Sequence, residues 1–446
     1  MRIERFEWDG QDAVGLAKRI RAPRPALGEV SGPVAEIIAE IRSGGDSALA
    51  AIESRFGAGR TDPDAFRQSE EAVRGAPSRL APELLGALET AAANIRAVAE
   101  AQLADQRRVE LAQGQTVELR EVPVGSAGIY APGGAAAYPS TVLMGCIPAK
   151  VAGVERVVLA TPPAGGDQPV SDVVLAAAGI GGADEVFAVG GAQAVAALAL
   201  GTERIAPVDV IAGPGNRYVQ EAKRQLVGEV GIDGIAGPSE LMVIAGDTAK
   251  SEWLGLDLCA QAEHGHDGLL VAAAVEIVIL DAIEEAVHRI AEERGIADDA
   301  ALTLVAVPDT AAGVTLANAL APEHLEILTE DADLLARGVA TAGCVFVGEG
   351  GATAFGDYAA GSNHVLPTGG AGRFQGPLGP GAFRRRIPTV EVTRDAAREL
   401  APAVATLARA EGFPLHADSA EARCEGAPRA KPRSDPIDGE AGPDTR

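Results

Sequence analysis

The sequence predicts an α/β protein with two doubly wound parallel sheets, and three observations point to this fold class. From residue 125 onward, short apolar runs alternate with segments of helical periodicity, as in strand–helix–strand units. Aromatic residues make up only 3% of the chain, while Gly reaches 54 and Pro 28, so Ala, Val, Leu and Ile must form a core with many tight turns. The length of 446 residues suffices for two large domains with smaller additions.

The first hundred residues are expected to be mostly helical. Residues 1–22 favour a short helical arm, and apolar residues recur at helical spacing over 29–56 and 79–103. Four strand–helix units follow over 125–226 and predict a parallel sheet, and a second alternating block over 241–347 predicts another α/β unit.

The last hundred residues differ from the rest of the chain in composition and periodicity. Residues 350–382 are rich in Gly and Pro and have no periodicity, which predicts a long ordered loop of the kind that carries function. Helical periodicity returns over 394–410. Residues 425–446 contain Pro, Gly and charge without large apolar residues, so we expect a disordered tail.

Charge and composition limit the classes of partner that the protein is expected to bind. Lys+Arg 38 against Asp+Glu 63 gives a net charge of −25, which argues against binding to nucleic acid or to an anionic membrane. No stretch reaches ~18 uncharged apolar residues, and the N-terminus has no apolar signal region. The four cysteines are far apart and lack CxxC spacing, as in reduced proteins. We therefore expect a cytoplasmic protein without nucleic-acid or membrane partners.

Histidine is scarce, and most of the six histidines stand near carboxylate or amide side chains. This placement suggests metal binding or proton transfer. Gln261 and His264 lie three residues apart near the end of a predicted helix, so both can grip one ion. Asp357 and His416 would complete a set of two nitrogens, two oxygens and one negative charge, which suits Zn²⁺ or a related divalent ion. Spacing alone leaves ordinary polar pairs open as the alternative.

The neighbouring residues Glu323 and His324 follow Pro322 and have two interpretations. They are a proton-transfer pair, or they mark a helix start at which the helix dipole favours the Glu. His266 and His288 are expected to be solvated or structural.

Three glycine-rich turns follow predicted strands at 130–134, 190–193 and 213–216. In a parallel sheet, all three emerge at the carboxyl edge, where ligands bind and where helix starts offer N–H groups to a phosphate or ribose. The GxGxxG fingerprint of dinucleotide sites is absent from the sequence, so plain strand–helix turns remain an alternative.

Eight motifs in one order closely resemble those of the histidinol dehydrogenase family, and the likeness as a whole runs from about residue 20 to 420. They are Gly128-Ile-Tyr130-Ala-Pro-Gly-Gly with Ala137-Tyr138-Pro139-Ser140, Val189-Gly-Gly-Ala-Gln193-Ala, Ala212-Gly-Pro-Gly-Asn216, Ala236-Gly-Pro-Ser239-Glu240, Gln261-Ala-Glu-His264, Ala321-Pro-Glu323-His324-Leu, Gly356-Asp357-Tyr358 through Asn363-His364-Val-Leu-Pro, and Glu411-Gly-x-x-x-His416.

The resemblance implies a zinc- and NAD-dependent, four-electron oxidation of L-histidinol through L-histidinal to L-histidine, the last steps of histidine biosynthesis. It also implies an intertwined homodimer and Rossmann-like domains of the aldehyde-dehydrogenase-like, histidinol-dehydrogenase-like type. The expected division is an N-terminal arm (1–24), a first α/β domain with zinc and catalytic residues (25–128 plus 239–378), a second with the NAD site (129–238), a dimerisation segment (379–424) and the tail (425–446).

Residue roles follow from the matching motifs. Gln261, His264, Asp357 and His416 look like zinc ligands that also contact the substrate, with His416 supplied by the partner subunit. Tyr130, Gln193 and Asn216 look like NAD contacts, and Ser239, Glu411 and His324 look like substrate contacts. His324 would be the general base, and Glu323 would activate the water that hydrates the aldehyde.

Some positions depart from the family pattern, although none is a proposed ligand. They are Ala135, the Gly- and Pro-rich stretch 374–382, Gly255 and Cys259 on the metal-bearing helix, and the tail. Two alternatives stay open. One is a relative that oxidises another small polyol, such as a sulfonated propanediol, with the same zinc and NAD. The other is a catalytically silent NAD- or metal-binding homologue, against which the intact Glu323, His324 and ligand set argue.

Overall fold

A computed structural model describes residues 1–22, 30–56, 62–133, 137–164, 170–265, 267–296 and 300–424. The predicted tail and positions Gly134, Ala135 and His266 lie outside these residues. The chain forms two compact units, Met1–Leu103 with Pro123–Arg385, and Ala104–Val122 with Arg386–Arg446.

Several helices begin where the sequence supplies a side-chain cap. The side chains of Asp309 and Thr393, for example, accept hydrogen bonds from backbone N–H groups of the helices that follow them. The helices are α1 (Ala13–Arg21), α2 (Ser31–Phe56), α3 (Glu70–Gly75), α4 (Pro82–Ala101), α5 (Pro139–Ala152), α6 (Asp172–Gly181), α7 (Gly191–Leu200), α8 (Arg217–Leu226), α9 (Ser251–Ala262), α10 (Ile277–Arg294), α11 (Thr310–Leu320), α12 (Ala332–Ala336), α13 (Thr353–Tyr358), α14 (Arg394–Ala410) and α15 (Pro414–Glu421).

The strands are short, and those of the first unit are mostly buried and apolar, as is typical of parallel sheets covered on both faces. They are β1 (Arg2–Glu7), β2 (Arg107–Glu110), β3 (Thr116–Pro123), β4 (Ser126–Tyr130), β5 (Arg156–Thr161), β6 (Glu185–Ala188), β7 (Val210–Ala212), β8 (Gly231–Ile232), β9 (Glu240–Ala245), β10 (Leu269–Ala274), β11 (Ala301–Ala306), β12 (His324–Leu328), β13 (Cys344–Val347) and β14 (Arg384–Glu391).

A five-stranded sheet in the first unit has the order β6-β5-β4-β7-β8, and its neighbouring strands are parallel. Successive residues of β5 face opposite sides: Val157 and Leu159 join one apolar cluster, whereas Val158 and Ala160 join another. The sheet therefore has a core on each face. The chain runs outward from β4 to β6 and then returns to β7, so the strand order reverses between β4 and β7.

A six-stranded sheet in the same unit has the order β1-β11-β10-β9-β12-β13 and is also parallel. Leu241 and Val243 of β9 face one apolar cluster, and Met242 and Ile244 face the other. The strand order reverses between β9 and β12. The predicted α/β class with parallel, doubly wound sheets is confirmed.

Two local expectations and one open alternative are wrong. Residues 1–22 are not helical throughout, because Arg2–Glu7 forms the edge strand beside β11. Residues 350–382 contain the six-residue helix α13, which is too short to produce a visible periodicity. Glu323 and His324 do not start a helix, since His324 is the first residue of β12.

The second unit is smaller. It contains most of a three-stranded sheet of order β14-β3-β2 and the helices α14 and α15, which pack through Ala405, Ala408 and Ala417. In the described ranges of both units, every helix is too short or too polar to traverse a lipid bilayer.

Candidate active site

The amino-terminal edge of the six-stranded sheet gathers four polar side chains at its strand-order reversal. Ser239 and Glu240 lie at the start of β9, and Glu323 and His324 lie at the start of β12. These strands are hydrogen-bonded neighbours, with His324 opposite Leu241. The two segments, more than eighty residues apart in sequence, therefore meet side by side.

Glu323 is buried and held by two donors. Its Oε2 accepts hydrogen bonds from Ser239 Oγ and from the Glu240 backbone N–H, both at 2.8 Å. Burial raises the pKa of Glu323 to about 7, against the opposing effects of nearby His324 and the two hydrogen bonds. The carboxyl group can therefore accept or release a proton near neutral pH.

The His324 ring is fixed through one nitrogen. Its Nδ1 lies 3.0 Å from the Glu240 carbonyl oxygen, and because a carbonyl only accepts, Nδ1 carries the proton. Nε2 lies 3.5 Å from Asp357 Oδ1. Burial by itself lowers the pKa of His324, but the carboxylates of Asp357 and Glu323 outweigh it and raise that pKa to about 9. Nε2 is thus the atom at which this ring gains or loses a proton.

Glu240 holds both of these side chains through its backbone and is itself clamped. Arg21 binds its fully buried carboxylate with two contacts, Nη1–Oε1 at 2.6 Å and Nη2–Oε2 at 2.9 Å. The Gly369 N–H donates to Oε1 at 3.0 Å. A bidentate pair of this kind fixes geometry. The sequence motifs indicated no role for Arg21 or Glu240. A Glu at the start of an otherwise apolar strand is, however, a pattern from which a buried ion pair could be predicted.

Gln261 joins the same cluster from α9. Its Nε2 donates to Ser239 Oγ, while its Oε1 is buried and has no hydrogen-bond partner. A buried acceptor without a partner costs about 1–3 kcal/mol. An amide oxygen is a suitable ligand for a divalent cation, so this side chain fits a metal site.

Asp357, at the end of α13, faces several imidazoles. Burial raises its pKa, but His324, His364 and His264 together lower it below the usual value. His264 itself is exposed and lies just beyond α9. The structure thus brings Gln261 and Asp357 to the His324 cluster, with His264 close enough to act on Asp357 electrostatically.

The four predicted zinc ligands do not all belong to the same unit of the chain. Within the described residues, no three or more His, Cys, Asp or Glu side chains are grouped so as to hold a metal ion. Glu411 and His416 belong to the second unit, where both are exposed and the His416 ring centroid lies 5.4 Å from that of Phe413. Their part in the site stays a prediction.

Sequence reasoning missed a buried carboxyl beside the cluster. Glu326 follows His324 by two residues on β12, and its Oε1 accepts from the Thr353 N–H at 2.9 Å while Oε2 has no partner. Burial and the neighbouring Asp257 raise the pKa of Glu326 to about 8. Glu326 is therefore mostly neutral at pH 7 and adds little charge near His324. Its signal was a Glu inside an otherwise apolar strand.

The carboxyl edge of the five-stranded sheet holds the predicted nucleotide contacts. Tyr130 ends β4, and Asn216 follows β7 across the reversal. The N–H groups of these turns are already engaged: Gly191 donates to Tyr130 Oη at 3.1 Å, and Gly213 donates to Asp233 Oδ2 at 2.8 Å. Asn216 Oδ1 caps α8. The expectation that these turns offer N–H groups to a phosphate is wrong at these positions, because the chain's own side chains occupy them.

Gln193 lies one turn into α7 and is almost fully buried. Its Nε2 donates to Glu53 Oε1 at 2.8 Å, and the Gly190 N–H donates to the same oxygen at 3.1 Å. No local pattern connects Glu53 with this turn, since the two are separated by more than 130 residues.

A cavity of about 180 Å³ lies in the first unit beside the turn that precedes Ser239. The buried ion pair of Lys223 and Asp233 lines one part of it, and Gln375 and Leu378 line another. The Gly- and Pro-rich stretch 374–382, which departs from the family pattern, therefore forms part of a cavity wall.

Fold and site together define a doubly wound α/β enzyme that combines a buried carboxyl–imidazole pair with a candidate metal site. The sequence model described as histidinol dehydrogenase matches residues 21–424. A histidinol dehydrogenase from Rhizobium meliloti (strain 1021) is 42% identical over 414 residues, covering 92% of this chain and 95% of the relative. One from Halobacterium salinarum is 43% identical over 407 residues, covering 89% and 93%.

A solved structure agrees with the sequence comparisons. The histidinol dehydrogenase from Elizabethkingia anophelis superposes with a TM-score of 0.88 at 30% identity, covering 94% of this chain and 97% of that one. The chain belongs to the histidinol dehydrogenase family.

Proposed function

We propose that the protein oxidises L-histidinol to L-histidine through L-histidinal in two NAD-dependent steps, the last steps of histidine biosynthesis. Its family membership makes it an oxidoreductase. The observation that carries the proposal is the Glu323–His324 pair, in which a carboxyl group with a pKa of about 7 adjoins an imidazole whose proton-accepting Nε2 is fixed in place.

The chemistry needs two proton acceptors. In the first step, His324 Nε2 takes the hydroxyl proton as the carbinol carbon loses a hydride. Glu323 then takes a proton from the water that adds to the aldehyde, while the protonated His324 returns its proton to the aldehyde oxygen. The neutral imidazole then takes a hydroxyl proton of the hydrate in the second oxidation, and both residues release their protons to solvent before the next turnover. The protein's part is to hold these groups in place, which Ser239 and the Glu240 backbone do.

Gln261, His264, Asp357 and His416 of the partner subunit would hold zinc, with the unpartnered Oε1 of Gln261 as the supporting observation. When bound, NAD accepts the hydrides, and zinc orients the imidazole and amine of the substrate. Tyr130, Gln193 and Asn216 would contact NAD, and Ser239 and Glu411 the substrate. We place the protein in the cytoplasm as a homodimer whose active sites are shared.

The decisive experiment supplies histidinol to the purified, zinc-loaded protein and follows NADH absorbance. We expect two NADH per histidinol consumed. A sulfonated propanediol serves as the second substrate. NADH from the sulfonate alone would reject the histidinol assignment, and no NADH from any polyol tested would favour the silent homologue.

The metal assignment is tested by elemental analysis of Gln261→Ala. Zinc content and activity should fall together, whereas Gln225→Ala, a partly exposed glutamine on α8, should keep both. Zinc at the wild-type level in Gln261→Ala would remove Gln261 from the ligand set.

The shared site is tested by complementation. A chain truncated before Glu411 and the His324→Ala variant should each be inactive, and mixing them under exchange conditions should restore part of the activity. Failure to recover activity, with mixed dimers demonstrated, would refute the assignment of His416 to the neighbouring site.

A further inference from the structure

Glu53 is a buried carboxylate that the proposed chemistry does not use. It lies on α2 with 1% of its surface exposed, among apolar neighbours such as Leu49 and Ile52. Both of its described hydrogen bonds end on Oε1, one from the Gly190 N–H and one from Gln193 Nε2. Burial raises the pKa of Glu53, and the two donors oppose that rise.

Glu53 occupies part of the start of α7, where another anion could otherwise bind. Gly190 directly precedes this ten-residue helix, whose first N–H groups point away from the helix at its positive end. Glu53 takes the N–H of Gly190, and Tyr130 Oη takes that of Gly191. In many dinucleotide-binding folds, a phosphate binds at such a helix start. Here, two side chains of the chain itself take two of the N–H groups at that place.

The same contact fixes the orientation of Gln193. A side-chain amide has donors on its nitrogen and an acceptor on its oxygen. Because Glu53 Oε1 accepts from Nε2, the amide nitrogen faces the carboxylate, and the amide oxygen faces the other way. Gln193 therefore presents an acceptor, and not a donor, to anything that binds beside Tyr130.

We propose that Glu53 is a positioning residue for cofactor binding. It blocks the helix start as a phosphate site and holds Gln193 so that its carbonyl oxygen accepts a hydrogen bond from an N–H or O–H donor of NAD. This inference rests on the proposed function, because it takes Gln193 to be a cofactor contact.

The test is a calorimetric titration of the zinc-loaded full-length protein with NAD⁺ in the absence of substrate. Glu53→Gln is close to isosteric, but its amide can donate to Gln193 Oε1 and so lets the Gln193 amide turn over. We expect the Kd for NAD⁺ to rise about tenfold, the loss of roughly one hydrogen bond to a bound ligand. Gln193→Ala should produce a similar rise.

A double variant separates positioning from a general structural effect. If Glu53 acts through Gln193, adding Glu53→Gln to Gln193→Ala should not raise the Kd further. Asp46→Asn is the matched control, since Asp46 is a buried carboxylate on the same helix that pairs with Arg204. It should lower the melting temperature and leave the Kd within twofold of wild type.

Two results would overturn the inference: a Kd of Glu53→Gln within twofold of wild type, or additive effects of the two substitutions. If Glu53→Gln does not fold, Glu53→Asp replaces it, because the shorter carboxylate loses its reach to Gln193 and predicts the same rise. Wild-type protein that binds no NAD⁺ would refute the proposed function itself, and this inference with it.

Discussion

The two parallel sheets of the first unit place their polar groups at opposite edges. In the five-stranded sheet, Tyr130 and Asn216 lie at the carboxyl ends of strands, where ligands of open α/β sheets usually bind. In the six-stranded sheet, Glu323 and His324 lie at the amino ends. Both groups nevertheless flank the point at which the strand order reverses.

The two edges also differ in the contacts and the pKa values of their side chains. At the amino edge, backbone groups of Glu240 fix Glu323 and His324, whose pKa values of about 7 and about 9 suit proton transfer. At the carboxyl edge, burial raises the pKa of Tyr130 to about 12, which removes it from proton chemistry at neutral pH. This contrast supports the proposal that the amino edge serves catalysis and the carboxyl edge serves cofactor binding.

The largest expected effect is a loss of turnover when His324 is replaced. His324→Ala should lower kcat by about 10³-fold, within the usual range for loss of a general base, and leave the Kd for NAD⁺ unchanged. Steady-state kinetics and calorimetric titration measure the two quantities. A variant that lost cofactor binding as severely as turnover would show that the two edges do not act separately.

A large loss of stability is expected when the buried ion pair between Arg21 and Glu240 is broken. Arg21→Met leaves the Glu240 carboxylate buried without its bidentate partner, which should cost about 3–5 kcal/mol of unfolding free energy in urea. The control is Arg42→Met, because Arg42 and Glu229 form an exposed pair at the same N–O distance of 2.6 Å. It should cost less than about 1 kcal/mol. Equal losses would contradict the role of burial.

The pH dependence of kcat/KM should reflect the protonation of His324 at the amino edge of the six-stranded sheet. With a pKa of about 9, His324 is protonated at neutral pH, so its base form and the rate should increase about tenfold per pH unit from 7 and level off above 9. His288→Gln, at an exposed histidine, should keep this profile. A profile that is flat between pH 7 and 9 would contradict a raised pKa of His324 in the zinc-loaded enzyme.

The smallest effect is expected at the carboxyl edge. Asn216→Ala removes the cap of α8, which should lower the unfolding free energy by about 1 kcal/mol. Asn216→Asp keeps the capping oxygen and should restore stability without restoring the amide nitrogen for NAD. Equal NAD⁺ affinity in wild type and Asn216→Asp would limit Asn216 to a structural role.

Sequence patterns predicted the fold class well, because strand–helix alternation is local. They missed β12 because its five residues contain a His and a Glu in an otherwise apolar run. They missed β1 because its two apolar residues, Ile3 and Phe6, are three positions apart, as in a helix. Motifs marked Glu323, His324 and Gln261. No local pattern linked Arg21 to Glu240, which are 219 positions apart.

The sequence by itself determined the layered parallel architecture and the kinds of side chain available for chemistry, since periodicity and residue type are local properties. Tertiary structure decided which sheet edge holds the acid–base pair, which nitrogen of His324 takes the proton and which way the Gln193 amide points. Those outcomes depend on burial and on hydrogen-bond partners such as Glu240 and Glu53, which only folding brings within reach.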